Sequence, residues 1–426
     1  MKRLVLALMV VFAFVIAVPS VMAASTVTVW CWDPNFNGFS MKQAAAVYNK
    51  THPDVTINIV DIPQDIEAKI EAGLQAGGAG LPDIALFQDF SIERFIANYP
   101  GIFVDLKAAG VDYSKFAAYK VAVMSDKGKV YGIPFDTGST GYWLRTDMLK
   151  SAGLNPDSYK KNLTWTQLTA LGVTVKAKIG KPIMAYDTTS FDILRMMVQS
   201  TGTQFFNKDG SLNLRTPAVK KSLTVLKDLY DKGLMFTAEG WNNWVSAFNN
   251  GDSAGFLQAL WIIGTLKSKP ENAGKWMVIP TPSLEGVANA ANASNNGGSS
   301  WYVFASSPNK AAAVDFLKST WASSAPDALQ FYNVILKGAG AMGTYLPSRN
   351  GSNYTAPDEY FYKSQPVFKD FSAWMEKVPV LMYYTTYGSM RTALNNATLR
   401  MYKGDLASPD DVIAAAEQEY KQTVGQ

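Results

Sequence analysis

Gly128-Lys-Val-Tyr-Gly-Ile-Pro-Phe-Asp-Thr-Gly-Ser-Thr-Gly-Tyr-Trp-Leu-Arg-Thr-Asp147 is the stretch whose reading decides the fold. A short strand-like run ends at Gly132-Ile-Pro134. Asp136 follows at once, with Gly138 and Gly141 beyond it, and a second apolar run reaches Leu144. The pattern describes a strand that leaves one sheet, crosses a gap and enters another, carrying a carboxylate at the crossing. Hinges are short element ends that absorb large backbone changes. The stretch therefore predicts a two-lobed binding protein whose cleft lies beside this crossing.

Upstream, the chain alternates. Thr26–Trp30, Val55–Ile62 and Pro82–Phe87 have strand character, and Met41–Asn49, Asp65–Gln75 and Ser91–Asn98 have helical spacing, with Ser40 as a candidate N-cap. Alternation of this kind means a mostly parallel α/β sheet, and ligands of such sheets sit outside the carboxyl ends of the strands. Those ends carry Trp32, Asp33 and Asn35 after the first strand, and Gln88 and Asp89 after the third. Downstream, Thr164 caps a helix, and Thr216–Tyr230 forms another, with Pro217 at the first helical position and Gly233 closing its end. Ala288–Ser300 is a polar loop, Trp301–Phe304 a strand, and Lys310–Ser319 a helix. The length suits two lobes of roughly 200 residues each.

The N-terminus sets the compartment. Lys2 and Arg3 precede the uncharged apolar run Leu4–Val18, and Pro19 and Val21-Met-Ala23 follow. Residues 1–23 read as a cleaved export signal, since a spanning helix needs about 20 apolar residues. The expected location is the periplasm or the extracellular space. The chain has 1 cysteine, so it forms no internal disulfide, and its core alone must hold it. Lysine and arginine number 39 against 35 acids, and two of the 39 lie in the export segment. That near balance speaks against nucleic acid as a partner. Charged residues make up 17%, and the chain carries 11 Trp and 20 Tyr. Such rings pair an apolar face with a polar edge, which suits a ligand that is half C–H surface and half hydroxyl, although most of them serve packing.

One His and one Cys remove most catalytic constellations. His52 sits in a turn beside Pro53, and neither a nucleophilic triad nor a zinc or haem centre can be built from these residues. No metal site and no cofactor are expected. Gly338-Ala-Gly-Ala-Met-Gly343 has dinucleotide-loop spacing, but Tyr345-Leu-Pro347 follows where a helix is required. It reads instead as a flexible connection between lobes. A glycosidase built on two carboxylates stays open, as no pair is marked out.

Taken together, the pieces resemble the extracellular solute-binding protein family of ATP-driven sugar importers, with likeness to its maltodextrin-binding branch. The resemblance rests on Val29-Trp-Cys-Trp-Asp33, Gly80-Leu-Pro-Asp-Ile84, Gly128–Pro134, Leu144–Gly153, Thr164–Leu168, Ala247–Ala254, Gly297-Gly298, Ser307–Leu317 and Met390–Ala397. It implies a type II periplasmic-binding-protein-like α/β fold. One lobe would hold residues 24–136 plus 302–343 and the other 137–301 plus 344–426. It implies a monomer that closes on a carbohydrate and delivers it to membrane permease subunits of an ABC importer. It implies Trp261 as a sugar-stacking ring, Tyr387 as a second, and Asp136 and Gly298 at the crossing. Asp187, after the strand-like Ile183–Tyr186, is another candidate acid, and Trp241 and Tyr345 complete the aromatic candidates. Each acid is also of a type that caps helices and turns. A receptor for a polyamine or polyol, or a secreted carbohydrate hydrolase, are the competing readings.

Overall fold

The computed structural model describes residues 25–62 and 65–425. The expected export segment, residues 1–23, lies outside them. Among the described residues twelve strands appear in chain order: β1 Ser25–Cys31, β2 Val55–Asp61, β3 Ile84–Gln88, β4 Ser125–Asp126, β5 Lys129–Val130, β6 Gly132–Pro134, β7 Thr140–Arg145, β8 Met184–Asp187, β9 Met235–Ala238, β10 Gly255–Ala259, β11 Trp276–Pro280 and β12 Ser299–Val303. Helices lie between and around them, giving the α/β class read from the sequence.

The first sheet has the order β2-β1-β3-β12-β6. Strands β1, β2 and β3 run parallel, and β12 returns antiparallel between β3 and β6. Residues Ile84 to Phe87 of β3 are all buried, as a central strand covered on both faces requires. The second sheet places β7 between β10 and β11, antiparallel to both. Every residue of β7 is buried. The run from β6 to β7 therefore leaves the first sheet at Pro134 and enters the second at Thr140, as the opening stretch predicted.

A second segment crosses beside it. Ser139 bridges Asn295, Asn296 N–H donates to Gly138 O at 2.7 Å, and Thr140 N–H donates to Ser294 O at 3.0 Å. A Cβ on Gly138 would stand 2.1 Å from the Asn296 carbonyl oxygen, so only glycine lets the two backbones approach this closely. The boundary expected between Trp301 and Tyr302 falls inside β12, which pairs with β3 from Ser299 onward. The crossing thus ends at Gly298. The boundary expected at Gly343 also moves. The chain stays against the first sheet's helices through Tyr354, because Asn333 Oδ1 accepts from Asn353 N–H at 2.8 Å and Tyr345 stacks on Tyr332. It reaches the second sheet by Phe361, which bridges Trp276.

Local signals held in part. Thr164 and Gln167 form a reciprocal capping box at the helix Trp165–Ile179. Pro217 opens the helix Pro217–Asp231 behind a capping Thr216. Ser40 is not a cap. The first helix begins at Asn37, and Ser40 donates within it to Phe36 O. Gly338–Gly343 is not a loose linker at its start, since the helix Pro326–Ala339 runs through Gly338 and ends on a left-handed Gly340.

Candidate ligand-binding cleft

The loop Asn295–Ser299 is the centre from which the cleft is built. On one side the first lobe grips it. Asp89 N–H donates to Gly298 O at 3.0 Å. Ser299 donates to Asp136 Oδ1 from both N (2.8 Å) and Oγ (2.9 Å). Lys120 Nζ donates to Asp89 at 2.6 and 2.7 Å and to Ser299 O at 3.0 Å. Asp89 and Asp136 are 3% and 4% exposed, and Lys120 is fully buried. Burial pushes the Asp89 carboxyl up to about 6, with Lys120 opposing and Asp136 adding. Burial also raises Asp136, again opposed by Lys120. These groups form a closed ionic network behind the hinge.

On the other side the second lobe grips the same loop. Arg195 Nη1 donates to Asn295 O at 2.8 Å and to Gln199 Oε1 at 3.2 Å, and Nη2 donates to Asn296 Oδ1. Asn296 Nδ2 donates to Asp192 Oδ2 at 3.0 Å and to Gln258 Oε1 at 2.7 Å. Trp261 Nε1–H donates to Asn296 O at 2.9 Å, which fixes the indole over the loop. Gly297 and Gly298 both have positive φ, 82° and 97°.

A cavity of about 180 Å³ opens under Trp261, lined by Gln88, Phe90, Asp192, Arg195, Asn296, Tyr383, Tyr387 and Arg391 among others. Smaller and larger recesses adjoin it. Trp241, Trp244 and Asp187 join Asp192 and Trp261 around one of about 70 Å³. Trp32, Gln88 and Phe90 share another of about 360 Å³. Asn35 and Trp261 share a groove of about 750 Å³. The Trp241 and Trp261 rings lie 5.8 Å apart, and Trp241 is 46% exposed. Burial holds the Tyr383 and Tyr387 phenols above their ordinary range, so both remain protonated donors at neutral pH. Indole and phenyl faces beside carboxamide, guanidinium, phenol and carboxylate edges can cover C–H surface and bond hydroxyls together.

The expected residues divide accordingly. Gln88, Trp261 and Tyr387 meet in the central cavity, and Trp32, Asn35, Trp241 and Asp187 line recesses that share a wall with it. The other expected residues lie elsewhere. Asp136 turns away from the cleft to Ser299, and its neutralising cation, Lys120, comes from a distant helix. Asp89 turns to Lys120 within the turn that follows β3: Gln88 and Phe90 line the cavity and Asp89 between them does not. Tyr345 is buried against Phe116 and Tyr332 with its hydroxyl at Ser324. Asp33 closes its own turn, accepting from Asn35 and Phe36 N–H. Asp187 likewise accepts from Thr189 and Gly240 N–H. Gly298 itself faces Asp89, and its neighbour Gly297 lines the cavity.

Phe90, Asp192, Arg195, Asn296, Tyr383 and Arg391 were not foreseen. Asp192 and Arg195 carried a signal, an i,i+3 charge pair opening an otherwise apolar helix. Asn296 stood next to the paired glycines.

The model for the family described as "Bacterial extracellular solute-binding protein" matches residues 43–353. The chain belongs to that family. This solute-binding protein is 40% identical over 399 residues to the lactose-binding protein of Rhizobium radiobacter, covering 93% of this chain and 92% of the relative. Its fold is also that of the sugar-binding protein MalE from Xanthomonas citri, with a TM-score of 0.78 at 18% identity over 94% of this chain and 98% of the other. The galacto-N-biose-/lacto-N-biose I-binding protein of the ABC transporter from Bifidobacterium longum superposes with a TM-score of 0.76 at 19% identity, over 95% and 98%. The two-lobed solute-binding fold with hinge crossovers is thereby shared across these proteins.

Proposed function

We propose that this solute-binding protein is an exported, monomeric, non-enzymatic receptor that captures a sugar by lobe closure and hands it to an ABC importer. The observation that carries the reading is the central cavity: Trp261, Phe90, Tyr383 and Tyr387 offer ring faces, and Asp192, Arg195, Asn296 and Gln88 offer hydrogen-bonding edges. The relative that binds lactose by name makes lactose the first sugar to test. Residues 1–23 serve as a cleaved export signal, and the lobes follow the strand assignment given above.

The competing ligands fit less well. A polyamine site needs unpaired acids. Here Asp89 and Asp136 are committed behind the hinge, and Asp192 already accepts from Asn296. A two-carboxylate hydrolase needs a facing acid pair. Asp187, the other acid beside Asp192, is occupied by its own turn.

Isothermal titration with lactose, maltose and a monosaccharide panel tests the proposal, with spermidine as the control. Binding of a sugar and none of spermidine is expected. Trp261→Ala should weaken sugar binding by about 1–3 kcal/mol, the scale for losing a large buried ring, with the melting temperature of the empty protein held within a few degrees. Spermidine binding without sugar binding would replace the proposal, as would normal sugar affinity in the variant replace the role of Trp261.

A further inference from the structure

Tyr383 lines two cavities. One is the cavity under Trp261. The other, of about 580 Å³, lies between the helix Ile92–Asn98, the β4–β5 hairpin and the segment Met382–Tyr384. Tyr131, Tyr383 and Tyr384 contribute rings to it, and Glu93 contributes a carboxyl. Glu93 Oε2 is buried and has no hydrogen-bond partner among the described residues. A buried polar atom left unpaired is costly, so this oxygen marks a place where a ligand hydroxyl would be welcomed. Burial, with Asp126 adding, pushes the Glu93 carboxyl up to about 7, so near neutral pH it serves as donor and as acceptor.

Size and charge narrow the occupant. The cavity under Trp261, at about 180 Å³, is smaller than the roughly 300–1,000 Å³ of an ordinary small-molecule site. The second cavity, which shares Tyr383 with it, would add about 580 Å³. Its acids, Glu93 and Asp126, are matched by Lys127 and Lys129, and Lys127 already stands 3.7 Å from Asp126. A balanced lining favours a neutral ligand over an ion. Aromatic rings beside one hydroxyl-bonding carboxyl are the same chemistry as the central cavity.

We propose that the binding cleft continues past Tyr383 into this second cavity, which receives the outer unit of a tri- or longer oligosaccharide. Glu93 bonds hydroxyls of that unit, and Tyr131 covers its C–H face. The proposal rests on the sugar-receptor reading and adds the length of the ligand to it.

Calorimetry in two series tests it: lactose against galactosyl-lactose, and maltose against maltotriose and maltotetraose. In one series the wild-type protein should bind the trisaccharide about tenfold or more tightly than the disaccharide. Glu93→Ala and, separately, Tyr131→Ala should remove that gain and leave the disaccharide dissociation constant within about twofold. Glu93→Gln should keep part of the gain, since its amide oxygen still accepts. Having two separate variants guards against a folding defect in either, and an unchanged disaccharide affinity itself reports a folded cleft. No gain with length in either series overturns the proposal, and so does an equal loss for both lengths in the variants. If the wild-type protein binds neither disaccharide nor longer chain, the sugar-receptor reading is what has failed.

Discussion

Lys120 carries the largest electrostatic responsibility of any single residue in the hinge. It is fully buried, and its ammonium faces Asp89 at 2.6 Å with Asp136 close behind. A buried pair adds little net stability over an apolar substitute, but removing one partner strands the other charge and costs about 3–5 kcal/mol. Lys120→Met should therefore lower unfolding stability by about that amount, read from the urea midpoint at constant m-value. Lys120→Met combined with Asp89→Leu should recover much of the loss. A single variant within 1 kcal/mol of wild type, a bound set by ordinary surface substitutions, would mean that the network relaxes or hydrates without cost.

The same residue explains what the sequence left hidden. Lys120 lies in the short helix Ala118–Val123 among alanine, tyrosine and valine, and nothing local marks it as the counter-charge of an acid 31 positions away. Asp136 looked free for a ligand because its cation is remote. Asp89 and Phe90 differ by one position, and the turn after β3 decides which reaches the cleft. The type and order of residues made the aromatic part of the site legible. The facing of each acid depended on partners, Lys120 and Ser299, brought to it only by folding.

At the scale of elements, the hinge loop Asn295–Ser299 couples the two sides. Arg195 and Trp261 hold its first half, and Asp89, Lys120 and Asp136 hold its second. Gly298 is where these grips meet. Its φ of 97° lies in the region that favours glycine, and an added Cβ would come 2.6 Å from Asp89 Oδ2 and 3.1 Å from Lys120 Nζ. Gly298→Ala should cost stability by about 1–3 kcal/mol, the usual price of a strained backbone position. It should also weaken ligand binding, because displacing the loop moves the Asn296 carbonyl on which the Trp261 indole hangs. Differential scanning fluorimetry and titration on the same preparation check both effects. A variant that loses stability but binds normally would uncouple the loop from the ring. At this scale the sequence was more informative. The crossing at Pro134–Thr140, the capping at Thr164 and the helix start at Pro217 follow from local residue chemistry. The exact strand ends of β12 do not, since Ser299 and Ser300 are weak strand formers held in the sheet by β3 and β6.

For the whole molecule, the question is what moves when a ligand arrives. The two sheets share no strand, and two of the segments that pass between them, Phe135–Ser139 and Asn295–Gly298, are short and lie side by side. Relative rotation of the lobes then costs a few dihedral changes in those segments and leaves each sheet intact. The cleft residues divide between the sides. Gln88 ends β3 of the first sheet and Phe90 follows it, and Trp261 follows β10 of the second. A sugar held by both sets makes contacts in the closed form that the open form cannot make, and this difference in affinity is the only source of a population shift. Small-angle scattering should accordingly give a smaller radius of gyration at saturating ligand than without it. Trp261→Ala should need more ligand to reach the compact form, and Gly298→Ala should follow its own measured affinity. A scattering curve unchanged by ligand that calorimetry has shown to be bound would mean that capture occurs in a fixed cleft. The grip of both lobes on the loop Asn295–Ser299 would then serve rigidity, and an importer would have to recognise the loaded receptor by something other than its shape.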